Sequence, residues 1–328
     1  MQKLAIARHC DLLIIGGSLA ATACALAARK AGRSVLLAAP RTALGDDCWA
    51  HLRLFSEEAP TTPLTAEIFP DGQAPSPLHI KRQLELAALE SGVELLYQAM
   101  PCGILADENG TACGAILATR AGRCGVTADH IVDATKIGTF ARQAGVTFAP
   151  WSEPVVEAEQ RIINAEPLEG WQTVGTVLWQ DATEEKTHEA YLLSQQLALD
   201  LGDGSPLAIA RAEQQARLQS FVASQYTASE AMWWLPPGGL LEARGSWQDW
   251  QGPESGDLQA FQANDHLWVL GGSGACSPEV AQALSQPVAG SRVAERLGSH
   301  IASLPSSARA PQVAVLSGGE RRESGVCL

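Results

Sequence analysis

Residues 11–40 read DLLIIGGSLAATACALAARKAGRSVLLAAP, and this stretch decides the fold because it sets a strand, a turn, a helix and a second strand in that order. Residues 12–15 form an unbroken apolar run, the pattern of a parallel strand covered on both faces. Gly16 and Gly17 end it. Alanine dominates 19–31, so a helix there can lie close to a sheet, and Arg29 and Lys30 fall in its last turn, where the macrodipole favours cations. Gly32 supplies the stop, and 34–39 is a second apolar strand.

The order and spacing are those of a βαβ unit built around a dinucleotide. In its fingerprint, GxGxxG, the first glycine makes the tight turn. The second admits the pyrophosphate to the backbone, and the third brings the helix onto the strand. Gly16, Ser18 and Ala21 hold those places, with Gly17 and Ala20 between them. The acid that normally receives the ribose hydroxyls at the end of the second strand is absent, because Ala39 stands there. The nearest following acids are Asp46 and Asp47.

A length of 328 residues suits two domains with a large core. The net charge of −13 and pI near 5.0 argue against nucleic acid or an anionic membrane as partner, since both demand a basic face. The longest apolar runs fall short of the roughly 20 residues of a membrane helix, and the first ten residues lack a signal core. The expected location is therefore cytoplasmic. The eight cysteines contain no CxxC pair, so neither disulfides nor a metal site is expected.

Further along, 41–78 is rich in Pro, Thr and acids and reads as a long ordered loop over a ligand. An amphipathic helix at 79–91 is followed by a strand at 93–97. From 103 to 126, short strands alternate with turn chemistry that includes Asn109-Gly110, the signature of a β-meander. HIVDA, 130–134, is another buried strand, and a short helix begins near Phe140.

Through IIGGSLAA, VLLAAP, LGDD, HIKRQLELAALESGVELLYQ and GRCGVTADHIVDATKIGTFARQAGV, the chain resembles the FAD-dependent oxidoreductases of the two-dinucleotide-fold flavoprotein group, closest to the branch with a DATG motif. The resemblance covers 11–148 and returns weakly near 264–297. It implies an α/β fold, with a Rossmann-like FAD-binding domain of parallel sheet plus β-meander and a smaller α+β middle domain. The expected boundaries are 1–148 for the first part of the FAD-binding domain, with the meander at 103–126. A substrate or partner domain at 149–262 follows, then a return to the FAD-binding domain at 263–300 and a flexible tail at 301–328.

The resemblance places the cofactor at Gly16, Gly17, Ser18, Ala20, Ala21, Arg41, Gly45, Asp133, Ala134, Thr135, Lys136, Gly271 and Gly272. It also brings Cys48 and His51 near the flavin ring. Several contacts depart from the family pattern: Ala39 replaces the ribose acid, Asp46 the second glycine of an LGG turn, and Lys136 the glycine of DATG. Met100-Pro101 falls where a backbone amide meets the adenine, and proline cannot donate that bond. Gly272 or Ser273 takes the place of an acid near the ribitol. Arg41 and Lys136 are candidate compensating partners for the pyrophosphate.

In the middle segment, Trp233 and Trp234 precede Pro-Pro-Gly-Gly and are expected to set aromatic surface on a loop, facing substrate or a partner chain. His188 lies in an acidic, helix-like stretch and is expected to be exposed. No acid/base pair emerges, so no catalytic residue is assigned. Two functions stand open. One is an FAD-dependent oxidoreductase that transfers hydride between a small organic substrate and FAD. The other is a family member that has lost FAD and serves as a non-catalytic or regulatory subunit of a flavoprotein complex, as a homo-oligomer or beside a heteromeric partner.

Overall fold

The structure, a computed structural model, describes residues 4–55, 59–70, 74–151, 154–181, 186–306 and 309–316. Strand β1 (Ile6–Ile15), helix α1 (Leu19–Lys30) and strand β2 (Val35–Ala39) realise the opening unit. Short helices α2 (Asp46–Trp49) and α3 (Pro63–Ile68) and the longer α4 (Pro77–Glu90) lead to β3 (Glu94–Tyr97). The segment expected to be a long loop is thus partly helical. Pro63 and Pro77 open α3 and α4 behind Thr62 and Ser76, whose side chains cap the first turns.

Strands β4 (Met100–Ala106), β5 (Ala112–Thr119) and β6 (Gly122–Asp133) form the meander, and α5 (Thr139–Gln143) follows. The main sheet runs β13-β4-β5-β6-β1-β2-β3, with β12 also on β6. Here β12 is Leu267–Val269 and β13 is Val313–Leu316. Strand β6 joins two regimes: Gly122–Thr127 pairs antiparallel with β5, whereas Ile131–Asp133 pairs in parallel with β12. β1, β2 and β3 continue the parallel part. The mixed α/β sheet is the expected fold class.

The second sheet is antiparallel, in the order β10-β7-β9-β8 with β11 on β7. Its strands are β7 (Val155–Asn164), β8 (Gln172–Asp181), β9 (Lys186–Asp200), β10 (Gln225–Ala228) and β11 (Trp233–Trp234), with α6 (Pro206–Gln219) against β9. His188 is exposed, but its stretch is strand rather than helix, because 186–200 pairs along both β7 and β8. Long-range pairing overrides the helical propensity of its Glu, Lys and Ala residues. Glu159 and Arg161, neighbours on one face of β7, form a buried ion pair at 2.7 Å, and Arg161 also donates to the Leu52 carbonyl at 3.3 Å. That bond ties the second sheet to the segment after α2.

The chain returns to the main sheet through β12, α7 (Pro278–Leu284) and α8 (Pro287–Ser303). The tail expected to be flexible from 301 instead closes α8 and then adds β13 to the edge of β4, whose open backbone groups it satisfies. Residues 317–328 of that tail lie outside the described residues. Helix α8 packs directly on α1, and a Cβ at Gly298 would collide with the Cys24 carbonyl oxygen. Gly298→Ala is therefore expected to push the two helices apart and lower the unfolding free energy by roughly 1–3 kcal/mol, read by urea denaturation.

Candidate functional site

Strands β1, β2 and β6 end side by side, and their C-terminal ends with the returning β12 border one cavity of about 350 Å³. Its first wall is the turn Gly16, Gly17, Ser18 and Ala20. Gly16 has φ +142°, and a Cβ there would stand 2.6 Å from the Ala134 carbonyl oxygen; one at Gly17 would meet Ala39 Cβ at 3.2 Å. At Gly16 only glycine fits, and at Gly17 a side chain would crowd Ala39. Ser18 caps α1, its hydroxyl accepting from the Ala21 amide at 3.0 Å.

The second wall is the turn after β6. Ala134, Thr135 and Lys136 line it, while Asp133 does not. Asp133 is fully buried; its Oδ1 accepts from the Thr135 amide and hydroxyl at 2.9 and 2.6 Å, and its Oδ2 from the Ala141 amide at 2.8 Å. Oδ1 holds the turn itself and Oδ2 ties it to α5, so Asp133 shapes the site without facing it. The third wall is Leu270, Gly271 and Gly272 after β12, where Gly271 has φ +107° and open space beside it.

Trp233 and Trp234 close the cavity from the second sheet. They are not an exposed aromatic loop: they pair with Glu159 and Ala158 of β7, and Trp234 is only 3% exposed. Each ring receives a cation. Arg53 lies 4.7 Å from the Trp233 centroid and Lys136 Nζ 4.1 Å from that of Trp234. Arg53 also donates to the Ser285 carbonyl at 3.1 Å and Gln286 Oε1 at 2.9 Å.

Three sequence-assigned positions stand behind the wall. Ala21 is buried against the sheet, and the Gly45 amide donates to the Gly17 carbonyl at 2.6 Å, fastening α2 to the turn. Arg41 pairs with Glu230 at 2.8 Å and Asp46 at 3.7 Å, so its charge is already matched. Cys48 is fully buried, but His51 reaches the cavity and donates from Nδ1 to the Ala231 carbonyl at 2.9 Å.

Sequence reasoning passed over Asp46, Asp47 and Arg53 as lining residues. Asp47 Oδ1 accepts from the Leu19 amide at 2.8 Å, at the mouth of α1. The signal was available: a charged residue alternating through the apolar run LRLF, and two acids directly after a glycine turn.

Burial governs the titration of these groups. It pushes Asp47 up to about 7, with Asp46 adding repulsion and the Leu19 amide opposing. It also raises Asp46, against the pull of Arg41. It holds His51 well below its ordinary value, with Lys136 contributing in the same sense, so the ring is neutral. Lys136 is exposed as a residue, but desolvation of its ammonium over the Trp234 ring brings it down to about 7, with Glu213 opposing.

A family model described as FAD dependent oxidoreductase matches residues 50–250, more than half of the chain. The chain belongs to that family. The match to the FAD-dependent oxidoreductases begins after the β1–α1–β2 unit, so the opening fingerprint is an independent sign of the same fold. Among solved structures, a flavin-dependent brominase, Bmp2, is 14% identical, with 92% of this chain and 81% of that chain covered at a TM-score of 0.51. A glycerol-3-phosphate dehydrogenase from Bacillus halodurans complexed with FAD is 12% identical over 91% of this chain and 66% of that one, at a TM-score of 0.50. The chain spans 62% of the length of a third, AlpK, at 16% identity, 89% coverage of this chain and a TM-score of 0.47. The likenesses to the brominase and the dehydrogenase show the fold. No curated protein matches the sequence. No helix among the described residues is long and apolar enough to cross a membrane, and no metal-binding cluster occurs among them.

Lys136 supplies a check on the electrostatics. Its folded pKa of about 7 lies below the ordinary 10.5, so between those values the unfolded chain binds the extra proton. The resulting cost, reduced by solvent screening because Lys136 is exposed, is largest below about 7 and vanishes above 10.5. Lys136→Met is therefore expected to raise the thermal midpoint most at acidic pH and least at alkaline pH; an equal gain throughout would contradict the assignment.

Proposed function

We propose that this protein binds FAD along the three-turn cavity and exchanges a hydride with a small organic molecule. The observation that carries the reading is the cavity wall itself, in which Gly16 and Gly17 are held against Ala134 and Ala39 at the N-terminus of α1. A Cβ at Gly16 would strike the Ala134 carbonyl and one at Gly17 would press on Ala39, so the glycines let the turn and the N-terminus of α1 sit on the cavity wall, where their backbone fits a pyrophosphate.

Gly17, Ser18 and Ala20 would hold the pyrophosphate, the Ala134–Lys136 turn and Gly271–Gly272 would flank the remainder, and Trp233 with Trp234 would cover it. The affinity is expected to be reduced. Ala39 offers the ribose no acceptor, and Pro101, which lines the cavity, offers the adenine no amide. Each lost neutral hydrogen bond is worth about 1 kcal/mol.

FAD, when bound, supplies the hydride acceptor. The chain supplies orientation and protons. Lys136 and Asp47 both titrate near 7, so each can hold or release a proton at neutral pH. His51, neutral and fixed by its bond to Ala231, leaves Nε2 as an acceptor. A second cavity of about 810 Å³ lies across the segment 51–54: His51 and Arg53 line the first cavity, Leu52 and Leu54 the second. Its wall includes Ile163 and Val177 of the second sheet, and it is the proposed place for the substrate. The other reading, a flavin-free subunit, draws on Ala39 and Pro101.

Absorbance separates them. Purified protein reconstituted with FAD is expected to show bound-flavin bands; a protein that stays colourless after reconstitution would contradict the enzyme reading and favour the subunit. Ala20→Asp, which adds a charge on the cavity face of α1, is expected to weaken flavin binding at least about tenfold with unchanged circular dichroism.

A further inference from the structure

The N-terminus of α1 already has an anion. The Leu19 amide donates to Asp47 Oδ1 at 2.8 Å, Ser18 Oγ takes the Ala21 amide, and Asp46 stands beside Asp47 on the same cavity wall. The turn that would receive a pyrophosphate is thus filled from within by a carboxylate on a neighbouring helix, fastened there by the bond from Gly45 to Gly17.

We propose that Asp47 is a built-in competitor for the cofactor's phosphates, so that FAD enters this cavity together with a proton on the Asp47 carboxyl. The inference rests on the FAD reading above. A helix N-terminus stabilises one negative charge well, but a pyrophosphate set against an ionised carboxylate meets repulsion in a poorly solvated site. Protonation removes that charge and turns the carboxyl into a donor toward a phosphate oxygen. Burial and Asp46 already bring Asp47 up to about 7, so the proton is available near neutrality.

The charged and titratable groups around Asp47 come from three places. Asp46, Cys48, His51 and Arg53 belong to α2 and the segment after it, Arg41 follows β2, and Lys136 follows β6. The first turn of α1 contributes no acid. Lys136 is the competing explanation, because it too gains a proton as pH falls through about 7 and would then attract phosphate. Asp47→Asn separates the two: it keeps an Oδ1 acceptor for the Leu19 amide and removes only the charge.

Wild-type, Asp47→Asn and Lys136→Met proteins are titrated with FAD near pH 6 and near pH 8.5, and binding is read from the change in flavin fluorescence. A single required proton weakens binding by about tenfold per pH unit above the pKa. Wild type and Lys136→Met are therefore expected to lose at least about tenfold between the two conditions. Asp47→Asn is expected to lose less than about threefold and to bind at the higher pH more tightly than wild type. A tenfold loss retained by Asp47→Asn, or abolished by Lys136→Met, would overturn the proposal. Flavin binding with the same flat profile in all three proteins would overturn it while leaving the FAD reading intact. No flavin binding by any of them at either pH would overturn both.

Discussion

The structure depends on one close approach, the meeting of β1, β2 and β6 at Gly16 and Gly17. A Cβ at Gly16 would collide with the Ala134 backbone and one at Gly17 would press on Ala39, so the parallel register of three strands is tied to two residues without side chains. Their position fixes α1, which starts immediately afterwards and packs along α8. It also fixes α2, through the bond from the Gly45 amide to the Gly17 carbonyl. The cavity is the space these constraints leave where the strands end, as open α/β sheets generally leave it.

What fills the cavity wall is unusual in charge. Two carboxylates, a lysine, an arginine and a histidine share a small space with two tryptophans. Arg53 lies over the Trp233 ring and donates to the Ser285 carbonyl, and Lys136 lies over Trp234 and donates to the Met232 carbonyl at 3.3 Å. The acid side is turned toward the helix terminus. Desolvation moves Asp47 up and Lys136 down, so that both come to about 7 from opposite directions.

Much of the fold was legible in the sequence because its signals are local. The apolar run 12–15, the alanine-rich helix and the Asn109-Gly110 turn each specify their own element, and all appear where expected. The stretch around His188 was misread because its side chains favour helix while the strand partners of 186–191 lie elsewhere in the chain. The edge strand β13 was invisible for the same reason. At the site, Gly16, Gly17, Ser18, Ala20, Ala134, Thr135, Lys136, Gly271, Gly272 and both tryptophans line one cavity. Arg41 and Asp133 do not, because Glu230 and the α5 amides claim them, and such partners are known only once the chain is folded. Asp47 was visible as an acid after the glycine turn, but its bond to the Leu19 amide was not, because a backbone partner carries no side-chain signal.

The central claim is that this cavity receives FAD with its diphosphate at the N-terminus of α1. A crystal structure of the protein grown with FAD tests it most directly. The account predicts phosphate oxygens within hydrogen-bond distance of the Ala20 amide, with the Asp47 side chain moved from its place on Leu19 or donating to the phosphate. Flavin bound elsewhere, or an Asp47–Leu19 bond unchanged beneath an empty turn in flavin-saturated crystals, would contradict it.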